Sequence, residues 1–227
     1  MTPEVLSFDA GGTFLFPHPS VGDVYARAFA AHGIQLDPLV LDRAFPSAFK
    51  HALARNTAEL PLFSPAFWRA VVFEVLGDLP LDPATREAAF QAAYHAFAQP
   101  DAWRVAADFP ETLAALKKAG FRLVVFSNND SRLRDLLRGH HLYDCFEAVF
   151  ISAEIGLHKP DPRAFRHVSD ALAVKPSDLL HIGDSLSRDI HPARQAGWRA
   201  RLAPGAAQPG DPEPPLPDWI TLLHNPV

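Results

Sequence analysis

Apolar residues are grouped differently in different parts of the chain, and the first group is a short buried run. Val5, Leu6 and Phe8 lie together, and the run ends in Asp9 followed by two glycines. A short apolar run that is cut off by glycine is typical of a strand covered on both faces. Asp9 then either starts an ordinary turn, as Asp and Gly often do, or marks a ligand site at the end of a strand.

The segment from Pro17 to about Pro100 has helical spacing throughout, and prolines punctuate its gaps. Pro46 must start or kink the helix in which it lies. We expect an all-helical block whose aromatic stripes form its core rather than a ligand box. The four stripes are Val21, Val24, Tyr25, Ala28 and Phe29; Phe45, Ala48, Phe49, Ala52 and Leu53; Phe67, Trp68, Val71, Val72 and Val75; and Phe90, Ala93, Tyr94 and Phe97.

After Asp101, strand-like and helix-like segments alternate, which favours a parallel sheet with helical crossovers. We therefore predict an α/β fold, a doubly wound parallel sheet built from residues 1–16 and 101–227, with an inserted α-helical domain at 17–100. Residues 204–217 are expected to form an extended surface loop, and 219–223 an added edge strand. The predicted strands are 121–126, 148–151, 179–182 and 198–202, and the predicted helices include 110–119 and 161–171.

Composition narrows the function classes. The chain has 227 residues, 48% of them hydrophobic, and a net charge of −5, which gives no argument for binding nucleic acid or a membrane surface. Its single cysteine allows no intrachain disulfide. No apolar run reaches the ~18 residues of a membrane span, and no leader-like segment is visible, so we expect a cytoplasmic protein. The oligomeric state stays open, and a monomer is compatible with the sequence.

Three predicted strands end in polar groups, namely Asp9, Ser127-Asn128 and Asp184. In a parallel sheet these ends share one edge, and Lys159, just before a predicted helix, can reach it. Carboxylates suit Mg²⁺, whereas a lysine and a serine hydroxyl can hold phosphoryl oxygens. A carboxylate can also act as a nucleophile and form an aspartyl-phosphate.

Four motifs in order make the chain similar to the haloacid dehalogenase-like hydrolase superfamily. They are FDAGGT at 8–13, FSNND at 126–130, SAEIGLHKPDP at 152–162 and HIGDSLSRDIHPARQAGW at 181–198. The resemblance covers nearly the whole chain, and it implies that the helical block at 17–100 is a cap that closes over the site and helps to choose the substrate.

The resemblance also implies roles for individual residues. Asp9 would attack phosphorus, and Lys159 would steady Asp9 and the developing charge. Ser127 and the backbone around Asn128 would bind the oxygens of a small phosphorylated substrate. The predicted cofactor is Mg²⁺, held by the residues Asp9, Gly11 (through its carbonyl) and Asp184, with support from Asp189 through water.

Each of these residues also has an ordinary structural explanation. Ser127 can cap the following helix, and Lys159 can be a solvated loop charge. Asp189 can sit in the first turn of a helix because of the helix dipole.

One position departs from the family pattern. Phosphatases of this family usually carry a second Asp two residues after the nucleophile, which protonates the leaving group and then activates water; here that position is Gly11. Three hypotheses stay open. They are a Mg²⁺-dependent phosphohydrolase that is slow or specialised for good leaving groups, a non-catalytic protein that binds a phosphorylated ligand or a partner, and a 2-haloacid dehalogenase.

Overall fold

We describe a computed structural model of the chain, covering residues 3–55, 61–206, 211 and 213–224. The chain divides into two compact units. One contains the residues up to Phe16 and those from Val105 onward, and the other is Pro17–Arg104. The strands are β1 Val5–Phe8, β2 Leu15–Pro17, β3 Trp103–Val105, β4 Arg122–Ser127, β5 Ala148–Ile151, β6 Leu179–Gly183 and β7 Arg199–Leu202. The helices are α1 Val21–Ala30, α2 Pro38–Ala54, α3 Pro65–Leu76, α4 Pro83–Ala96, α5 Phe109–Lys118, α6 Arg132–Gly139, α7 Ser152–Ile155, α8 Pro162–Leu172, α9 His191–Gln195 and α10 Thr221–His224.

The first unit is built on a five-stranded parallel sheet in the order β5-β4-β1-β6-β7. The chain runs outward from β1 through β4 to β5 and returns to the other side of β1 for β6 and β7. The order therefore reverses at β1, which is where ligands bind in open α/β sheets. The predicted fold class is confirmed.

The central strand β1 is buried at every position. It lies between β4 and β6, with Phe8 beside Val125 on one side and beside Ile182 on the other. A strand paired on both edges and covered on both faces needs the apolar run that the sequence shows. The register brings the carboxyl ends of β1, β4 and β6 to the same edge.

The second unit contains α1–α4 and has a hydrophobic core of its own. Each helix begins at a side-chain cap, since the Ser20, Asp37, Ser64 and Asp82 side chains accept backbone N–H groups of the first turn. The helices predicted between 17 and 100 are therefore present, and Pro46 lies inside α2 rather than at its start. The buried core includes Tyr25, Phe29, Leu41, Phe63, Phe67, Val71, Val72 and Phe90.

Two features differ from the sequence-based expectation. The edge strand predicted at 219–223 is wrong, because Asp218 caps a helical turn there by accepting the Thr221 backbone N–H at 2.9 Å. Trp219 is buried against Phe109 instead of extending the sheet. The pair formed by β2 and β3 was not predicted, because three-residue strands give too short a pattern to recognise.

The loop predicted at 204–217 lies partly outside the described residues. Within the part of the chain that the structure covers, no helix combines the length and the apolar character that a membrane span requires.

Candidate active site

The site is built where β1 and β6 end. Asp9 directly follows β1, and its backbone N–H donates to the Ile182 carbonyl at 2.9 Å, which ties the end of β1 to β6. Asp184 directly follows β6. Ser127 is the last residue of β4 and is 2% exposed, at the same edge of the sheet.

A glycine turn after Asp9 brings the backbone close to Asp184. Gly12 has a φ of +82°, and a Cβ built on it would lie 2.9 Å from Asp184 Oδ2. Gly12 therefore has two reasons to be glycine, a left-handed backbone and a close approach to a carboxylate. Gly11 has neither, because a Cβ there would have no atom within 4 Å and its φ is outside the left-handed range.

Lys159 is brought to this edge by Asn128. The Asn128 side chain donates to the Lys159 carbonyl at 2.7 Å and accepts from the Lys159 N–H at 2.9 Å. The buried ammonium then lies 2.8 Å from the Phe126 carbonyl, 3.1 Å from Asp9 Oδ1 and 2.5 Å from Asp189 Oδ1. The lysine is 2% exposed, so it is not a solvated loop charge.

Asp189 lies on a π-helical turn, Leu186–Ile190, that follows β6. Its Oδ2 accepts the Ser185 backbone N–H at 3.0 Å, and its Oδ1 faces Lys159 and the His181 Nε2, the latter at 3.2 Å. A Cβ on Gly183 would lie 2.4 Å from the Asp189 Cγ, so glycine at this position leaves the space that the carboxylate fills. Asp189 is therefore an anchor for Lys159, which goes beyond a helix-dipole role.

The surroundings shift the pKa values of the acidic and basic groups of the site in different directions. Burial, with the nearby Asp9 and Asp189 charges, raises the pKa of Asp184 to about 7. Burial would likewise raise the pKa of Asp189, but the Lys159 ammonium and His181 hold it well below its ordinary value. Burial opposes the charge on Lys159, yet Asp189 and Asp9 together raise its pKa.

The donor set fits a hard divalent cation. Carboxylate oxygens of Asp9, Asp184 and Asp189 lie within 4.8 Å of one another. Lys159 supplies one positive charge beside these three acids, and burial together with the remaining negative charge raises the pKa of Asp184. Both Asp189 oxygens already accept hydrogen bonds, so Asp9 and Asp184 are the acids best placed to hold Mg²⁺ directly.

Four of the predicted site residues meet through their side chains, and the other three lie next to them. The structure brings Asp9, Lys159, Asp184 and Asp189 together and ties Asn128 to Lys159 through the backbone. Gly11 lies in the turn beside them, and Ser127 ends the neighbouring strand.

Two further polar residues in this region, Ser7 and His181, were missed by the sequence reasoning. Both are fully buried, and they are partners across the β1–β6 pair. A signal was present, because each is a polar residue inside an apolar strand that is covered on both faces.

Residues 3–197 match the family model for haloacid dehalogenase-like hydrolases. The chain is 32% identical over 233 residues to the haloacid dehalogenase-like hydrolase domain-containing protein 3 of Bos taurus, covering 97% of this chain and 88% of that protein. It is 38% identical over 109 residues to a phosphoserine phosphatase of Thermus thermophilus, covering 46% of this chain and 44% of that protein.

Solved structures share this fold. A defluorinating L-2-haloacid dehalogenase superposes with a TM-score of 0.79 at 17% identity, covering 98% of this chain and 94% of that one. At this identity the likeness concerns the fold alone.

Proposed function

Because this chain belongs to the haloacid dehalogenase-like hydrolases, we propose that it is a Mg²⁺-dependent phosphohydrolase that acts through an aspartyl-phosphate on Asp9. The observation that carries the proposal is the Asp9 carboxylate, which the Lys159 ammonium holds at 3.1 Å beside Asp184. The similarity to a phosphatase from Thermus thermophilus supports the phosphoryl substrate.

In the first half-reaction an Asp9 oxygen attacks phosphorus, an O–P bond forms, and the bond to the leaving group breaks with its electron pair. In the second, water attacks the aspartyl-phosphate, which returns the Asp9 carboxylate and releases phosphate. Lys159 orients Asp9 and offsets charge on the phosphoryl group, while Ser127 and the Asn128 backbone bind its oxygens. Asp9, the Gly11 carbonyl and Asp184 would hold Mg²⁺, which would supply the charge neutralisation that phosphoryl transfer needs.

The turn at Gly11 carries no acid for the leaving group. A positioned general acid is worth roughly 10²–10⁴-fold in rate, and alkoxides need it more than phenolates or carboxylates do. We therefore expect aryl and acyl phosphates to be better substrates than alkyl phosphates.

Turnover of p-nitrophenyl phosphate, acetyl phosphate, glycerol phosphate and 2-chloropropionate, each with Mg²⁺ and with a chelator, tests the proposal. We expect Mg²⁺-dependent hydrolysis of the first two, slower hydrolysis of the third and none of the fourth. Asp9→Asn should abolish all turnover, and the exposed Asp170→Asn, on α8, should leave it unchanged.

The other outcomes are informative as well. Metal-independent release of chloride would identify a dehalogenase instead. Mg²⁺ binding without turnover of any substrate would identify a non-catalytic protein.

A further inference from the structure

A buried polar pair lies beneath the proposed site. Ser7 and His181 face each other across β1 and β6, with the Ser7 Oγ 3.0 Å from the His181 Nδ1, and both residues are 0% exposed. The other ring nitrogen, Nε2, lies 3.2 Å from Asp189 Oδ1 and 3.3 Å from Lys159 Nζ. The imidazole thus connects the strand that carries the nucleophile to the two charged groups behind it.

The tautomer of the His181 ring follows from the hydrogens that its neighbours can donate or accept. A lysine ammonium has three hydrogens, and Lys159 has three oxygen acceptors in reach: the Phe126 carbonyl at 2.8 Å, Asp189 Oδ1 at 2.5 Å and Asp9 Oδ1 at 3.1 Å. His181 Nε2 also lies within hydrogen-bond distance of Lys159, at 3.3 Å, but the Asp9 oxygen at 3.1 Å is nearer and charged and is the stronger acceptor for the third hydrogen. Burial and the Lys159 charge lower the pKa of His181, so the ring is neutral and carries one hydrogen. The Asp189 carboxylate can only accept, so this hydrogen lies on Nε2, and Nδ1 accepts the hydroxyl hydrogen of Ser7.

We propose that His181 is a positioning residue for the reaction at Asp9: Ser7 fixes its imidazole as the Nε2–H tautomer, and that hydrogen holds Asp189 where it orients Lys159. The inference rests on the phosphohydrolase function proposed above and adds two residues to its machinery. Neither Ser7 nor His181 touches the reacting atoms; they act through Asp189 and Lys159.

Because the His181 ring is buried, the loss of its hydrogen bond to Asp189 could not be compensated. The ring is surrounded by Phe126, Phe165 and Trp198, with centroids 5.8, 6.2 and 6.1 Å away. Water therefore cannot replace a lost donor, and Lys159 would be left as the only hydrogen-bond donor to Asp189 Oδ1. The ammonium would then be drawn toward Asp189 and away from Asp9.

Two amide substitutions separate this role from simple packing. In His181→Gln the new amide nitrogen lies near the position of Nε2 and can still donate to Asp189, whereas in His181→Asn the amide reaches only as far as Nδ1. We expect His181→Asn to lower kcat about tenfold or more, as for loss of a hydrogen bond to a charged group, with KM within about twofold. His181→Gln should recover kcat to within about threefold of wild type. Phe165→Leu disturbs the same ring wall but no hydrogen bond, and its kcat should stay near that of wild type.

The tautomer is measured directly by the nitrogen chemical shifts of the His181 ring in NMR, which do not depend on activity. We expect the Nε2–H form in the wild type and a population of the Nδ1–H form in Ser7→Ala. An Nδ1–H ring in the wild type, or equal loss of kcat in the Asn and Gln variants, overturns the inference. A wild type that hydrolyses no phosphate at all overturns the proposed function, and the positioning role with it.

Discussion

The carboxyl group of Asp184, which the proposed function requires, lowers the stability of the folded protein. Its pKa of about 7 compares with an ordinary value of 3.8, because burial and two neighbouring carboxylates disfavour its charge. The folded protein therefore holds a proton at Asp184 more tightly than the unfolded chain does. The stability that depends on this proton is present below pH 4 and is lost as the pH rises through 7.

Asp184→Asn should therefore stabilise the metal-free protein at pH 8, by on the order of 2–4 kcal/mol, since each pKa unit is worth about 1.4 kcal/mol. The difference should shrink as the pH falls from 8 to 5. Urea unfolding in the presence of a chelator measures it, with the exposed Asp170→Asn as the matched control.

Mg²⁺ should make the wild type more stable than Asp184→Asn. Bound metal stabilises only the state that binds it, so the unfolding midpoint of the wild type should rise with Mg²⁺ and that of Asp184→Asn should not. Equal Mg²⁺ affinities for the two proteins in calorimetry would rule out Asp184 as a ligand.

Gly11 is a residue where an acid can be restored. The space around its Cβ position is open and its φ is unstrained, so Gly11→Asp should fold normally. We expect faster hydrolysis of alkyl phosphates, by about 10-fold or more, with a smaller gain on aryl phosphates. Gly11→Asn, which has the same shape but carries no transferable proton, is the control.

A burst gives a second readout for this position. In the proposed mechanism Gly11 takes the place of the residue that would deprotonate water in the second half-reaction. Aspartyl-phosphate should then accumulate in the wild type, and pre-steady-state traces should show a burst that Gly11→Asp removes. If the wild type hydrolyses glycerol phosphate as fast as p-nitrophenyl phosphate and shows no burst, another residue supplies the proton.

At the scale of elements, β6 and the π-helical turn after it together build one part of the site. The strand ends at Gly183, and the turn returns Asp189 over that glycine, with the Asp189 Cγ 2.4 Å from where a Cβ would be. Single π-helical turns of this kind are frequent at functional sites. Here the turn directs a carboxylate back toward Lys159.

Gly183→Ala should force this turn away from β6. We expect a loss of about 1–3 kcal/mol in the free energy of unfolding, typical of overpacking, together with a lower kcat because Lys159 loses its anchor. Gly11→Ala is the matched control, since its added methyl meets no atom within 4 Å. Equal stability of the two variants would show that the turn moves without cost.

At the scale of the whole molecule, the second unit has a hydrophobic core of its own. Among the described residues, the buried members of this cluster lie between Tyr25 and Ala93, and the apolar side chains packed against them lie between Val21 and Phe97. A segment with its own hydrophobic core meets the main requirement for folding alone.

A fragment of residues 17–104 should therefore be helical and unfold cooperatively. Far-UV circular dichroism during urea titration measures this, and Phe67→Ala, which removes a fully buried ring, should lower the midpoint or unfold the fragment. A fragment without helical signal would show that the unit depends on the rest of the chain.

The sequence by itself determined the class of fold and most of the residues at the site edge. Apolar runs that end in Asp9, Ser127 and Asp184 are local patterns, and parallel pairing brings such ends together whatever the details of packing. Helical spacing in the inserted segment is equally local. The strand predicted at 219–223 was wrong because one cap, at Asp218, outweighed a short apolar run with little preference of its own.

Tertiary structure alone decided how these residues are connected. The clamp of Asn128 on Lys159 joins positions 31 residues apart, and the pairing of Ser7 with His181 joins positions 174 apart. The shifted pKa of Asp184 likewise depends on burial and on charges from three separate segments. No pattern along the chain encodes such distances, because hydrogen bonds and electrostatic interactions between remote residues exist only once the sheet has placed them side by side.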